Sequence, residues 1–293
     1  MKIFRSIIAG VIMLTAASFA HAQPTAYNPQ TIYKIESAHM AYTGYYNVFV
    51  RTGRVLEVAN ASTANGAKIR QWDYLGGANQ QWIIQPVGNG LSVIRNINSG
   101  KVLDVTGFSK ENGASVQQWD YNITTNQQWA IEGVDQHGIV RIRNFNSGKV
   151  LDSTGRATNS GAWIQQWDYS GGDYQRWLLV PVGTFQPPAC DSITNSGSPA
   201  AGNSFEVYAN NVRNAVSVLF PTWTVANGQD ELIWYEGTYD AANNRWKCIV
   251  EISDHKNEVG VYKTDAYAVG VDDKVYGLGG TAVTVTAPPM GIY

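Results

Sequence analysis

Val116-Gln117-Gln118-Trp119-Asp120-Tyr121, followed by Asn126-Gln127-Gln128-Trp129, is the stretch whose reading decides the fold. It is written three times. The earlier copy is Ile69-Arg70-Gln71-Trp72-Asp73-Tyr74, closing with Asn79-Gln80-Gln81-Trp82. The later copy is Ile164-Gln165-Gln166-Trp167-Asp168-Tyr169, closing with Tyr174-Gln175-Arg176-Trp177. Trp72 and Trp119 stand 47 residues apart, Trp119 and Trp167 48. Self-similarity at a near-constant period decides the architecture before any local assignment does.

Outward from the Gln-Trp strand, each unit has the same grammar. An alternating apolar strand opens it, at Tyr46, Val48 and Val50 in the first unit, Leu91 to Ile94 in the second and Ile139 to Ile142 in the third. A Gly turn follows, then Val-Leu-acid: Val55-Leu56-Glu57, Val102-Leu103-Asp104 and Val150-Leu151-Asp152. A second turn carries Asn65-Gly66, Asn112-Gly113 or Ser160-Gly161 before the Gln-Trp strand. Each unit is thus about four short strands joined by turn residues. One unit alone cannot bury its apolar side. Three around a threefold axis can, with Trp82, Trp129 and Trp177 meeting in the shared core. On this reading Gln23 to Thr43 is a polar lead-in.

Composition agrees. The 293-residue chain has room for roughly two domains. Its 15% charged residues, 29 Gly and 10 Trp suit short strands and turns rather than long solvated helices. Residues 1–22 read as a signal peptide: Lys2 and Arg5, an apolar run from Ile7 to Phe19, and an Ala20-His21-Ala22 cleavage site. Cleavage after Ala22 leaves 23 acidic against 19 basic residues, a charge of −4. Nucleic acid and anionic membranes need a basic face, so neither is an expected partner. No later stretch is apolar enough to span a membrane. The expectation is a secreted or periplasmic protein. In such a space Cys190 and Cys248 can form a disulfide, which the loop-entropy estimate values at about 4 kcal/mol. Against the bridge, Cys248 shares strand parity with Trp246, Val250 and Ile252 and can instead be a small buried hydrophobe.

The repeat ends near Thr184. Residues 185–203, opening Phe185-Gln186-Pro187-Pro188 and continuing through Ser, Asn, Gly and Pro, read as a semi-flexible linker. Six or so strands between Phe205 and Val285 then suggest a small immunoglobulin-like β-sandwich over residues 204–287, with a tail at 288–293.

The Leu-acid step, Gln-x-Trp strand and Asn-Gln-x-Trp closure resemble the ricin-type β-trefoil lectins, the fold of carbohydrate-binding module family 13, over roughly residues 43–184 of a domain taken as 23–184. The resemblance implies one shallow sugar pocket per unit, built from an acid, an amide, a stacking aromatic and helper glutamines. The chemistry accords with this: a sugar offers a C–H face to an aromatic ring and paired hydroxyls to a carboxylate and amide. Carried over residue by residue, the second unit matches throughout, with Asp104, Gln117, Trp119, Asn126 and Gln127. The third keeps Asp152, Gln165, Trp167 and Gln175 but has Tyr174 for Asn. The first keeps Trp72, Asn79 and Gln80 but has Glu57 and Arg70, which are expected to form an ion pair across the pocket and leave it the least able to bind. Trp82, Trp129 and Trp177 are expected in the core rather than at a ligand.

Phe220-Pro221-Thr222-Trp223, Asn227-Gly228-Gln229-Asp230, Ser253-Asp254-His255-Lys256-Asn257 and Gly279-Gly280-Thr281 are similar to the GBS Bsp-like repeat. That resemblance implies a bacterial extracellular setting more than an activity. The four His residues make no metal spacing, and His255 beside Asp254 has no Ser or Cys nucleophile in a recognisable elbow. No catalytic residue, metal or cofactor is therefore assigned. The expected partners are glycans, with a bacterial cell wall as one source. The alternatives are an accessory or catalytic component of a glycan or peptidoglycan hydrolase, and an envelope protein with vestigial pockets.

Overall fold

The structure, a computed structural model, describes residues 30–42, 47–134, 138–199 and 203–287. The expected signal peptide, its expected cut after Ala22 and the expected 288–293 tail lie outside the described residues. No helix among them is long and apolar enough to cross a membrane.

The chain is all-β, a β-trefoil followed by a β-sandwich. The trefoil's first lobe holds β1 (Thr31–Tyr42), β2 (Asn47–Val58), β3 (Ile69–Asp73) and β4 (Trp82–Gly88). The second holds β5 (Leu91–Asn96), β6 (Val102–Val105), β7 (Val116–Trp119) and β8 (Trp129–Gly133). The third holds β9 (Val140–Asn144), β10 (Val150–Ser153), β11 (Ile164–Trp167) and β12 (Trp177–Thr184). All twelve belong to one hydrogen-bonded, antiparallel system. Within each lobe the opening strand meets the closing one at the same place: Tyr33 opposite Trp82, Ser92 opposite Trp129, Val140 opposite Trp177. Between lobes β4 pairs with β5, β8 with β9, and β12 returns to β1, which closes the ring. The core sits on the axis. Trp82, Trp129 and Trp177 are fully buried in one cluster with Ile35, Leu56, Ile84, Leu103 and Leu151. Each indole N–H finds a carbonyl, on Leu56 (3.1 Å), Leu103 (3.0 Å) and Leu151 (3.2 Å), so burial leaves no donor unmet.

One expectation fails here. The opening strand of the first lobe is Thr31–Ser37, not the Tyr46–Val50 stretch (Tyr46 itself lies outside the described residues). Thr31 to Ser37 pairs with β12 as β5 pairs with β4, whereas Ala38 to Tyr42 folds back on Asn47 to Arg51 as an added hairpin. Val48 and Val50 alternate because they belong to that hairpin, so the 23–43 lead-in contains a core strand.

Beyond Thr184, β13 (Ser192–Asn195), β14 (Ser204–Asn210), β15 (Ala215–Thr224), β16 (Ile233–Glu236), β17 (Thr238–Asp240), β18 (Arg245–Glu251), β19 (Gly260–Gly270) and β20 (Val275–Val285) form two four-stranded sheets, β13-β14-β18-β17 and β16-β15-β19-β20. Alternate residues face inward, and Phe205, Val207, Val218, Phe220, Val250, Tyr262, Val283 and Val285 make the second core. The expected linker is largely committed to structure. Phe185 is buried and its N–H donates to Gln30 O (2.6 Å), Ala189 bridges to Arg213, and Ser192–Asn195 is a strand. The expected disulfide is absent: both cysteines are free thiols. Cys248 points into the sandwich core beside Val250, while the Cys190 thiol donates to Leu278 O on β20 (3.5 Å). Burial in that core pushes the Cys248 thiol up to about 12.

The two modules touch. Arg95 of β5 pairs with Asp273 in the β19–β20 turn, Gln85 Nε2 donates to Asp272 O (2.9 Å), and a β-carbon at Gly100 would lie 3.2 Å from Val216.

Candidate functional site

The hairpins β2–β3, β6–β7 and β10–β11 place the candidate residues. Glu57 stands directly opposite Arg70, Asp104 opposite Gln117 and Asp152 opposite Gln165. Opposed residues share a face, and residues two apart along a strand share it too. Gln117 and Trp119 therefore project outward with Asp104, while Leu103, Val105 and Val116 go to the core.

In the middle lobe all five expected residues converge. Asp104 Oδ1 accepts from Gln117 Nε2 (2.9 Å), and Oδ2 accepts from Asn126 Nδ2 (2.8 Å) and Gln127 Nε2 (3.1 Å). Gln127 also donates to Asp120 O (2.8 Å) and accepts from Asn122 N (2.9 Å), so its amide is held at both ends. An ionised carboxylate has about four acceptor positions, and three are filled. Asp104 is 5% exposed, whereas Trp119 beside it is 37% exposed. Burial raises the Asp104 carboxyl above its ordinary range, and the hydrogen bonds from Gln117, Gln127 and Asn126 offset part of the rise. The buried Oδ1 of Asn126 has no protein donor.

The third lobe repeats the arrangement with one member changed. Asp152 accepts from Gln165 Nε2 (2.8 Å) and Gln175 Nε2 (2.9 Å) only. Tyr174 does not replace the missing amide: its hydroxyl instead shares a hydrogen bond with Ser170 Oγ (2.7 Å). Burial again raises the carboxyl, against Gln165, Gln175 and the charge of Arg156. Trp167 is 41% exposed over an open cavity of ≈ 360 Å³.

The first lobe is occupied by its own side chains. Glu57 Oε1 accepts from Arg70 Nε (2.9 Å) and Nη2 (2.7 Å), and Oε2 from Gln80 Nε2 (2.8 Å). Asn79 turns to Val58 O (3.1 Å). The expected ion pair is present.

Several supporting residues escaped the sequence reading. The middle glutamines Gln71, Gln118 and Gln166 are fully buried and reach into the neighbouring lobe, Gln118 Nε2 donating to Ser62 O and Ala64 O (both 2.9 Å). The same loop brings Asn65, whose amide brackets Asp120 at 2.7 and 2.9 Å, and Gly66, where a β-carbon would lie 3.6 Å from Trp119 Cζ3. Gly66 also has φ +82°, a conformation that favours glycine. Each pocket indole is thus backed by the lobe before it, as Gly113 backs Trp167 and Gly161 backs the half-buried Trp72. Rim positions differ between lobes. Phe108 and Arg156 occupy equivalent left-handed positions (φ 55° in each), and Ile123 (φ 61°) stands where the other lobes have Gly76 and Gly171. Aligning the three copies exposes these differences. His255 is buried against Tyr235 and Tyr262 in the sandwich, far in sequence from any pocket residue. Among the described residues no His, Cys, Asp or Glu group is arranged to hold a metal.

Comparison with known proteins places this geometry. Residues 32–119 and 125–208, more than half of the chain, match the family described as ricin-type beta-trefoil lectin domain-like, and residues 195–283 match the GBS Bsp-like repeat. Among solved structures, the designed 3-fold symmetric protein ThreeFoil is 38% identical over 52% of this chain and 99% of its own, with a TM-score of 0.47. The exo-beta-1,3-galactanase 1,3Gal43A from Clostridium thermocellum is 34% identical over 54% of this chain but 31% of its own (TM-score 0.47). The Macrolepiota procera ricin B-like lectin in complex with lactose is 23% identical over 53% and 99% (TM-score 0.42). No curated protein matches the chain. Three lobes in register, each with its acid, amide and indole in the family's order, carry the conclusion: the chain belongs to the ricin-type β-trefoil lectin domain-like family.

Proposed function

We propose that the protein is an exported lectin that binds glycans through the pockets of its middle and third lobes, the first lobe being closed by Arg70. The observation that carries this reading is the middle pocket. An open indole, Trp119, stands beside a nearly buried carboxylate, Asp104, that has one acceptor position free, and beside an Asn126 oxygen with no protein donor. A hexose fits both needs, with its C–H face on the ring and one hydroxyl to each polar group.

Binding without hydrolysis is the better-supported role. Glycoside hydrolysis uses two carboxyl groups flanking the bond, and among the described residues Asp152 is the one acid lining the third cavity. Weak single pockets suit avid attachment to a repeating polymer, such as a bacterial cell wall, through two sites on one chain. Cleavage after Ala22 and the bacterial extracellular setting are part of the proposal.

A glycan array with the mature chain, followed by calorimetric titration of the best ligand, tests it. Trp119→Ala and Asp104→Ala together should remove the middle-lobe component while Trp167 and its lobe stay folded. Undiminished binding in that variant would show that the pocket is elsewhere.

A further inference from the structure

The middle and third pockets are not copies of one another. At the equivalent rim position, held out by the same left-handed backbone, the middle lobe presents Phe108, 56% exposed, and the third presents Arg156. Arg156 lines the third cavity together with Asp152, Gln165, Trp167, Ser170 and Tyr174. Its Cζ lies 5.4 Å from the Tyr174 ring centroid, and no carboxylate among the described residues is within ion-pairing distance of it. The other charges nearby are committed. Asp168 is held by Lys149 (2.6 Å) and Asn112 (2.7 Å), and Asp173 by Arg176 (3.1 Å). The cation thus has no ion-pair partner among the described residues, and its charge is felt at Asp152, where it pulls the carboxyl down against the larger upward push of burial. The exchange of Asn126 for Tyr174 belongs to the same change. It leaves Asp152 with two protein donors where Asp104 has three, so Asp152 keeps room for a ligand hydroxyl.

Resting on the sugar-binding reading, we propose that the third lobe selects an acidic sugar, a hexose ring carrying a carboxylate or phosphate substituent, with Arg156 as the residue that reads the charge. The ring lies on Trp167, a hydroxyl goes to Asp152 and Gln165, and the anionic substituent reaches the guanidinium over Tyr174. Arginine suits this role because its planar fork matches both oxyanions. The middle lobe, with Phe108 in that place, takes neutral sugars.

The test uses the mature chain carrying Trp119→Ala, which silences the middle lobe, and follows the Trp167 indole N–H resonance. The probes are glucose, glucuronate and glucose 6-phosphate, with galactose and galacturonate as the epimeric pair. One acidic form should bind about tenfold tighter than its neutral parent, the size of one charge-assisted hydrogen bond at a partly exposed site. The preference should shrink at high salt, vanish in Arg156→Gln and survive in part in Arg156→Lys. Whether glucuronate or glucose 6-phosphate gains more identifies the oxyanion. Equal binding of acidic and neutral sugars overturns the charge reading and leaves the lectin assignment standing. A preference that persists in Arg156→Gln overturns the role of Arg156. Absence of binding by any probe overturns both readings for this lobe.

Discussion

Arg70 sits over the indole of Trp72, its Cζ 3.9 Å from the ring centroid, while the same guanidinium holds Glu57. The stacking surface and the acid of the first lobe are both spent on one side chain. The double variant Glu57→Asp, Arg70→Gln rewrites this lobe as the middle one, with Trp72, Asn79 and Gln80 already in place. Calorimetric titration should then show one more site per chain for the ligand of the middle lobe. Arg70→Gln alone leaves a buried Glu57 with Gln80 as its main partner and should cost about 1–3 kcal/mol of stability. An unchanged stoichiometry in the double variant would mean that the closed pocket has some other cause.

Acid should abolish binding before it unfolds the protein. Burial raises the Asp104 and Asp152 carboxyls above their ordinary value of 3.8, so they protonate at a higher pH than free carboxylates do. A protonated carboxyl has fewer acceptor positions for a sugar hydroxyl. The sign for stability runs the other way. Because the native state holds these protons more tightly than the unfolded one, their contribution is fully present below 3.8 and is lost as pH rises through the raised values. The groups that favour acid unfolding are Asp120, Asp168 and Glu132. The Asp120 and Asp168 carboxyls are held low by Lys101 and Lys149; at Glu132 burial pushes upward but is outweighed by Arg143 with Arg141, and the contribution of all three is lost only as pH falls below the ordinary range. Affinity and far-UV circular dichroism measured across pH 3 to 7 should therefore separate, with affinity lost at the higher pH. Coincident loss would contradict the assignment of these acids.

Ile123 is a β-branched residue with φ 61°, 63% exposed, where the other lobes use Gly76 and Gly171. Such a backbone strains a branched side chain by about 1–2 kcal/mol. Ile123→Gly relieves the strain but adds freedom to the unfolded chain, so the net gain should be about 0.5–1 kcal/mol. Thermal unfolding checks the sign. If the residue also serves the pocket, affinity for the middle-lobe ligand falls in the same variant although stability rises.

Much of this was legible in the three copies. Acid and amide fall opposite one another because the turn between them has the same length in each lobe, and strand parity then sends Trp119 outward and Val116 inward. Glu57 facing Arg70 was readable for the same reason. The first strand was not, because Val48 and Val50 alternate as well in an inserted hairpin as in a core strand, and only the pairing of Thr31–Ser37 with β12 tells them apart. The thiols were misread because an exported setting would favour a bridge, whereas Cys248 packs in the sandwich core and the Cys190 thiol turns to Leu278 O instead. The glutamines that tie lobe to lobe stayed hidden because their partners are carbonyls 54 to 88 residues away.

Arg95 shows how the second module is held. Its counterpart in the third lobe, Arg143, pairs within the trefoil with Glu132 of the second lobe (3.0 Å), but Arg95 is 1% exposed and its guanidinium goes to Gly100 O and to Asp273 of the sandwich. A buried cation whose carboxylate lies on another module makes docking a condition of its own stability. Asp273 is half exposed, so the pair contributes about 1 kcal/mol rather than the full value of a buried one. Asp273→Asn keeps the left-handed turn, which asparagine tolerates, and removes only the charge. The trefoil transition should then fall by about 2–4 °C in a calorimetric scan and separate from that of the sandwich. Proteolysis between Phe185 and Ala189 should accelerate in the same variant, since undocking frees the stretch between the trefoil anchor of Phe185 at Gln30 and the sandwich anchor of Ala189 at Arg213. Unaltered melting and proteolysis would show that the sandwich is held by its apolar contacts, such as Val216 against Gly100, and that Arg95 finds sufficient partners in Gly100 and Gln85.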